Sequence, residues 1–213
     1  MKKASLIILL LLLMACRQNK KNGHLPFYNT PEFTPVWLTP DDTAYSSIHT
    51  IPNFSFINQL GNIITNKNTA GKIYVANFFF TSCKNICLPM MDNLAKVQKA
   101  YAKDEKVLLL SHTVTPVRDN VDTLRNYAAR HYIDSKKWWL LTGSPSAIYN
   151  IARKAYFADD ATGFSKGTDQ FLHTENLVLI DQKGRIRGVY NGLLIVEVDN
   201  LIANIKSLET ETD

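Results

Sequence analysis

The chain has 213 residues, a size that fits one domain with extensions. Its 46% hydrophobic and 20% charged residues exclude disorder over the whole length. A net charge of +5 without a basic stripe argues against a nucleic-acid partner, and three cysteines are too few for a disulfide-built scaffold.

The N-terminus predicts export and a lipid anchor. Two lysines precede a nine-residue apolar run, residues 6–14, which is too short for a transmembrane helix of about 20 residues. The run ends at Cys16 with Ala15 before it, and this pattern resembles a bacterial lipobox. We therefore predict a lipoprotein signal peptide over residues 1–15, lipidation of Cys16, and an extracytoplasmic protein anchored to a bacterial membrane. An ordinary signal peptide with a chance cysteine is the alternative.

Residues 16–50 are predicted to form a lipidated tether. Four prolines precede Asp41, and periodic apolar positions are few. Such a stretch buries too little apolar surface to offset the entropy lost on ordering, although packing around Trp37 is left open. The folded domain is predicted over residues 51–208, and a frayed tail over residues 209–213.

Strand and helix patterns alternate through the predicted domain. A hairpin comes first, with strands at 54–57 and 63–64 around a turn at Gly61. Later strands are dominated by β-branched and aromatic residues, and they begin at Ile73, Val107, Trp138, Leu177 and Ile186. Helices with one apolar face begin at Cys87, after an Asp119 cap, after a Ser144 cap and before Val198. This order predicts an α/β, thioredoxin-like fold, in which helices flank a central mixed sheet and the hairpin is an N-terminal extension.

Two cysteines dominate the candidate chemistry. Cys83 and Cys87 lie between a buried strand and the start of a helix, where free N–H groups and positive potential stabilise thiolate over thiol. The adjacent Lys84 would act in the same direction. With three residues between them, the two sulfurs can converge on one metal ion or join in a disulfide. A pair of buried, inert thiols is the alternative without a function.

A useful metal site needs a third ligand, and His173 is the best-placed histidine. It lies in the loop that enters the strand at Leu177, and in a thioredoxin-like sheet that loop faces the cysteine turn. Composition alone leaves His173 open between a ligand and a loop residue. Two thiolates and one imidazole suit Cu(I), and Cu(II) could add an oxygen ligand, whereas structural zinc normally takes four protein ligands. His112, Met90 and Met91 are predicted to be structural.

From Ile51 to Leu208 the chain resembles the Sco/SenC family of membrane-tethered, thioredoxin-like copper proteins. The segments that carry the resemblance are NFFFTSCKNICLPMMDNLAKVQ, TVTPVRDNVDTLRNYA, WWLLTGSP and FLHTENLVLIDQKGRIRGVYNG. The resemblance implies that Cys83, Cys87 and His173 bind copper. It also implies that the protein delivers copper to, or maintains the thiols of, the dinuclear copper centre of cytochrome c oxidase. The implied partner is the oxidase subunit that holds this centre, or another copper protein.

The chain departs from the family pattern at two places. The family has proline after each cysteine, whereas Lys84 and Leu88 occupy these positions here, with Pro89 one place late. In the segment that matches the family's S-x-D-P-x-R-D pattern, this chain has Thr115 in place of the first aspartate. The implied ligands are untouched. Any partner contact or loop-positioning role of that aspartate is predicted to be changed, which fits a member with a different client.

A metal-independent extracytoplasmic thiol–disulfide oxidoreductase is the alternative function. One cysteine would attack as thiolate, and the other would resolve the mixed disulfide. The CxxxC spacing and the lack of a proline at His173-Thr174 disfavour a thioredoxin-type reductant. A lipoprotein that only binds a partner or stores copper is a third class. Copper transfer is the main prediction.

Overall fold

The computed structural model describes residues 24–83, 85–158 and 174–211. The strands are β1 Phe27–Tyr28, β2 Pro35–Val36, β3 Ser55–Asn58, β4 Ile63–Thr65, β5 Ile73–Phe79, β6 Val107–Thr113, β7 Trp138–Thr142, β8 Asn176–Ile180 and β9 Ile186–Asn191. The helices are α1 Asn66–Thr69, α2 Cys87–Ala100, α3 Val121–Arg130, α4 Pro145–Asn150 and α5 Ile195–Thr210. A 3-10 helix covers Thr43–Ser47, and α4 continues as a π-helical turn over Ile151–Ala155.

Seven of the described strands form one mixed sheet in the order β4-β3-β7-β6-β5-β8-β9. β5 pairs in parallel with β6, and β6 with β7, whereas the other neighbours pair antiparallel. All residues of β5 and β6 are buried, as expected for central strands that are covered on both faces. The predicted mixed sheet between helices and the predicted hairpin, β3–β4, are confirmed.

Apolar side chains form a core on each face of the sheet. On one face the core includes Phe79, Leu94, Leu124, Leu201, Cys83 and Cys87. On the other face it includes Phe56, Phe78, Leu110, Ile148 and Ala152. Because α2, α3 and α5 contribute to the first core and α4 to the second, both cysteines belong to the face that carries three helices.

Side-chain caps fix where two helices begin. Ser144 Oγ accepts a hydrogen bond from the Ala147 N–H at 3.2 Å and caps α4, as predicted. The cap of α3 is Asn120, whose Oδ1 accepts from the Thr123 N–H at 2.9 Å. The predicted Asp119 cap is therefore wrong by one residue, because the Asp119 carboxylate turns inward and accepts hydrogen bonds from threonine hydroxyls.

The segment before the β3–β4 hairpin packs on the domain, so the described part of the predicted tether is more ordered than its composition suggests. Phe27 is buried, and its ring centroid lies 4.1 Å from the guanidinium carbon of Arg187. Arg187 donates hydrogen bonds to the Leu25 carbonyl at 2.5 Å and to the Pro26 carbonyl at 3.1 Å. Trp37 is 53% exposed, so the packing is centred on Phe27 instead.

The C-terminal helix extends beyond its predicted end. α5 ends at Thr210, whereas the sequence predicts a tail from residue 209. Glu211 Oε1 accepts a hydrogen bond from Arg187 Nη2 at 2.6 Å, and Arg187 Nη1 also lies 3.3 Å from Asp181 Oδ2. The N-terminal and C-terminal segments therefore meet at one buried arginine.

None of the helices in the described ranges has the length and apolar character that a membrane crossing requires. The predicted signal peptide and the predicted lipid on Cys16 lie outside the described residues. Both stay predictions from the sequence.

Candidate metal centre

The loop between β5 and α2 holds both predicted cysteine ligands. The Cys83 N–H donates to the Phe80 carbonyl at 3.2 Å, which closes a turn directly after the strand. Cys87 is the first residue of α2, and its N–H donates to Cys83 Sγ at 3.4 Å. The Cys83 sulfur thus lies at the first turn of the helix, where the backbone N–H groups have no partner within the helix. Both cysteines are buried free thiols.

The two thiols differ in acidity. Burial by itself would raise the pKa of Cys83, but hydrogen bonds from the Cys87 thiol and from the N–H groups of Cys87, Asn85 and Ile86 lower it overall. Burial, followed by the hydrogen bond with Cys83, raises the pKa of Cys87 to about 12. Cys83 therefore ionises first, and donors at the start of α2 hold its thiolate.

A buried carboxylate lies beside the cysteine loop. Asp119 accepts hydrogen bonds from the Thr81 N–H at 3.1 Å and from Thr81 Oγ1 at 2.6 Å. It also accepts from the hydroxyls of Thr113 and Thr115. Burial is the main reason that the pKa of Cys87 is raised, and the negative charge of Asp119 adds to this effect. This contact was not predicted from the sequence, in which Asp119 is the expected cap of a helix.

Tyr127 is a second residue near the site that was not predicted from the sequence. It lies on α3 with its ring centroid 5.5 Å from that of Phe79, and its buried hydroxyl has no hydrogen-bond partner among the described residues. Burial, and after it the charges of Cys87 and Cys83, raise its pKa. Its position three residues after Leu124, on the apolar face of the helix, was the available signal.

The two methionines near the loop are core residues, as predicted. Met90 and Met91 are both buried in the same core as the cysteines. Met90 Sδ accepts a hydrogen bond from Asn77 Nδ2 at 3.9 Å, and Asn77 Oδ1 accepts one from Ser111 Oγ at 2.5 Å. The Met90 thioether is therefore engaged by the sheet.

The predicted third ligand, His173, lies outside the described residues. Lys84, the residue after Cys83, also lies outside them. Thr174, the residue after His173, lines a small crevice together with Cys87 and Ile86. The described chain therefore resumes beside the cysteine loop. Within the described ranges, no three His, Cys, Asp or Glu side chains are grouped as a metal site requires.

His112 belongs to the opposite core, in agreement with its predicted structural role. Its ring centroid lies 5.3 Å from that of Phe56 and 5.2 Å from that of Phe78. Neither ring nitrogen has a hydrogen-bond partner in the part of the chain that the structure describes. Burial lowers the pKa of His112 to about 3, so the ring is neutral at physiological pH.

Fold and site together define a class of protein. A mixed sheet flanked by helices, with a dithiol in the loop from a central strand to a helix, is the architecture of a thioredoxin-like protein with a CxxxC site. The two sulfur atoms are soft donors, and their chemistry fits a copper ion.

Comparison with known proteins assigns this chain within that class. The SCO1/SenC family model matches residues 42–209, and the chain belongs to this family. The resemblance drawn from the sequence motifs is thereby confirmed.

Three solved structures illustrate the similarity. A SCO1/SenC family lipoprotein from Bacillus anthracis is 30% identical, with a TM-score of 0.66 over 76% of this chain and 95% of that chain. BsSco, a member of the Sco family of cytochrome c oxidase assembly proteins in which a disulfide switch was identified, is 30% identical, with a TM-score of 0.65 over 78% of this chain and 96% of that chain. Arabidopsis thaliana ScoI, solved with copper bound, is 25% identical, with a TM-score of 0.56 over 75% of this chain and 98% of that chain.

Proposed function

We propose that the protein binds one copper ion through Cys83, Cys87 and His173 and delivers it to the copper centre of a respiratory oxidase. The observation that carries the proposal is the hydrogen bond from the Cys87 N–H to Cys83 Sγ at 3.4 Å, which brings both cysteines to the start of α2. Two relatives support it. Arabidopsis thaliana ScoI was solved with copper bound, and BsSco belongs to a family of cytochrome c oxidase assembly proteins.

Copper suits the proposed ligands. Thiolate sulfur is a soft donor that selects Cu(I), and an imidazole nitrogen also suits Cu(II). The position of Thr174 beside Cys87 supports His173 as the third ligand, because one peptide bond joins Thr174 to His173. Copper binding displaces the proton of Cys87, whose pKa is raised to about 12, so copper affinity is expected to increase with pH.

Thiol–disulfide exchange by the same cysteine pair is the second candidate function. The lowered pKa of Cys83 supplies an attacking thiolate, and Cys87 supplies the resolving thiol. In such an exchange the two thiols lose two protons and two electrons to a partner disulfide, which becomes a dithiol. The new disulfide removes two copper ligands at once, and a disulfide switch was identified in BsSco.

The proposed location is the extracytoplasmic side of a bacterial membrane, with a lipid on Cys16. The cysteine at the end of a short apolar run supports it, and the similar protein from Bacillus anthracis is a lipoprotein. At this location a disulfide between Cys83 and Cys87 could persist.

Titration with Cu(I) and Cu(II), followed by absorption and by competition with a chelator, tests the proposed function. Reduced protein should bind one copper per chain, and the disulfide form far less. In His173→Ala the Cu(II) affinity should fall by at least about 10- to 100-fold, because loss of a ligand costs more than loss of a group that orients one. Cu(I) affinity should fall less, since two sulfurs suffice for linear coordination. His24→Ala, on the N-terminal segment, is the matched control and should bind like the wild type.

Three results would contradict parts of this proposal. Unchanged Cu(II) binding in His173→Ala would remove His173 from the site. Equal copper uptake by the disulfide form would place the site elsewhere in the chain. Reduction of insulin at the rate of a thioredoxin would move the oxidoreductase function ahead of copper delivery.

A further inference from the structure

The carboxylate of Asp119 is buried, and its described partners are all neutral. The residue is only 2% exposed, and its carboxylate accepts four hydrogen bonds, from one backbone N–H and three threonine hydroxyls. A buried charge is costly unless hydrogen bonds replace the water that it loses. Four donors on two carboxylate oxygens meet this need, and charge-assisted bonds of this kind are stronger than neutral ones. The arrangement thus supplies the hydrogen bonds that a buried carboxylate needs.

These hydrogen bonds join two parts of the chain at the cysteine loop. Thr81, two residues before Cys83, binds both carboxylate oxygens, with its N–H on Oδ2 and its hydroxyl on Oδ1. Thr113 is the last residue of β6, and Thr115 lies two residues later. The entry of the cysteine loop is therefore tied to the end of the neighbouring strand through one carboxylate.

Thr115 occupies the position at which the family pattern has an aspartate. Its hydroxyl donates to Asp119 Oδ2 at 3.0 Å, and its N–H donates to Thr113 Oγ1 at 3.1 Å. The threonine hydroxyl supplies Asp119 with a donor that an ionised aspartate at position 115 would not supply. The threonine at this position leaves a single fixed negative charge beside the loop.

We propose that Asp119 is a positioning residue, which holds the entry of the cysteine loop and whose fixed charge favours Cu(II) over Cu(I) at the proposed site. The second part rests on the proposed function. Two thiolates and a neutral imidazole carry two negative charges, so a Cu(I) complex keeps one of them and a Cu(II) complex none. A neighbouring negative charge repels the first complex more strongly than the second.

Asp119→Asn separates charge from shape, because asparagine has the same size and keeps one oxygen acceptor. In surroundings with an effective dielectric of about 20, removing one neighbouring charge should lower the ratio of Cu(II) to Cu(I) affinity by about 10-fold. Hydrogen exchange of the metal-free protein should also become faster over residues 80–86, while exchange in β6 changes less.

Two control variants complete the experiment. Thr81→Val keeps the charge of Asp119 and removes the hydrogen bond from the Thr81 hydroxyl. It should therefore speed hydrogen exchange in the cysteine loop and lower the affinities for Cu(I) and Cu(II) by the same factor. Asp122→Asn removes a carboxylate on α3, three residues after Asp119, whose side chain is 80% exposed, and it should change neither measurement.

An unchanged affinity ratio in Asp119→Asn would overturn the role of the charge, and unchanged loop exchange would overturn the positioning role. The two proposals can fail separately. A wild type that binds no copper overturns the proposed function and the charge effect with it. Loop exchange in the metal-free protein then still decides whether Asp119 holds the loop.

Discussion

Cys83 and Cys87 are four residues apart, yet their environments push their acidities in opposite directions. Cys83 receives hydrogen bonds from the N–H groups at the start of α2, which favour its thiolate. Cys87 is the first residue of the helix. Its burial, followed by its hydrogen bond with Cys83, raises its pKa to about 12. A dithiol in which one sulfur ionises more readily than the other is suited both to attack on a disulfide and to stepwise capture of a metal ion.

This difference predicts selective alkylation. At pH 8 in metal-free reduced protein, iodoacetamide should modify Cys83 at least about 100-fold faster than Cys87, because the thiolate is the nucleophile. Peptide mapping by mass spectrometry at successive times measures both rates. In denaturant the two rates should become similar. Equal rates in the folded protein would contradict the assigned acidities.

His112 predicts a pH dependence of stability. Its pKa is lowered to about 3 by burial, against about 6.5 in an unfolded chain. Below pH 6.5 His112 binds a proton in the unfolded state but stays neutral in the folded state. The free energy of unfolding therefore falls as pH decreases towards 3. The loss from this residue is at most about 1.4 kcal/mol per pH unit. Urea unfolding between pH 7 and pH 4 should show a shallower decline for His112→Phe, and identical declines would contradict the prediction.

The secondary-structure elements followed from the sequence where local patterns decide them. The apolar runs at β5 and β6 predicted buried central strands, and Ser144 before Pro145 predicted the start of α4. The cap of α3 did not follow, because Asp119 and Asn120 are adjacent residues that both favour this position. The choice is made by Thr81, which lies 38 positions earlier in the chain and binds Asp119.

The candidate site was predictable to a similar extent. The positions of Cys83 and Cys87 between a strand and a helix are local features, and the sequence predicts them. The contacts of Asp119 depend on the parallel pairing of β5 with β6, which brings the ends of two distant strands together. Tyr127 is identified only when packing shows that its hydroxyl has no partner in the described residues. The contacts of Asp119 arise from the tertiary fold and leave no periodic signal, whereas the helical spacing of Tyr127 indicates its burial but not the state of its hydroxyl.

The cap of α3 gives a prediction at the scale of one element. Asn120→Ala should lower the free energy of unfolding by about 1 kcal/mol, because the Thr123 N–H loses its acceptor. Asn120→Asp, which keeps an oxygen at the same place, should stay close to the wild type. Urea denaturation midpoints measure both variants. A neutral Asn120→Ala would mean that water satisfies the end of this helix equally well.

Both ends of the described chain are fastened at Arg187. Its guanidinium binds carbonyls of the N-terminal segment, Asp181 after β8, and Glu211 after α5. Because removal of one member of a buried ion-pair cluster leaves the remaining charges uncompensated, loss of Arg187 is expected to disrupt the whole cluster. Residues that the sequence predicts to lie in a tether and a tail are therefore packed against the domain.

Arg187→Met should therefore be strongly destabilising. We expect a loss of about 3–5 kcal/mol in the free energy of unfolding, since Asp181 and Glu211 would lose a buried partner. Limited proteolysis should also cut the segment over residues 24–36 earlier than in the wild type. Arg125→Met removes an exposed ion pair with Asp122 and should change stability by less than about 1 kcal/mol. Similar losses in both variants would contradict the central role of Arg187.

The lipid anchor is tested on the whole protein. Cys16→Ser should block lipidation, and the protein should move from the membrane fraction to the soluble fraction of cells. Mass spectrometry of the mature N-terminus identifies the modification directly. Cys83→Ser, which leaves the lipidation sequence intact, should stay in the membrane fraction. Equal membrane association of Cys16→Ser would contradict the lipobox interpretation.

The docked N-terminal segment limits how far the domain could move from a membrane. Arg187 holds the Leu25 carbonyl, so a lipid on Cys16 would leave only residues 17–24 as the connection, about 30 Å at full extension. Glu211, which also binds Arg187, directly follows the C-terminal end of α5. The N-terminal end of α5 is about 24 Å away and starts three residues after Gly192. The Gly192 carbonyl accepts a hydrogen bond from Asn93 of α2. If Cys16 carries a lipid, the extended connection, α5 and the first turns of α2 together reach about 60 Å, so a membrane-bound client would meet the cysteine loop within a layer of about that depth. One molecule in a hemisphere of that radius corresponds to an effective concentration on the order of millimolar, so even a weak encounter with the client would be populated.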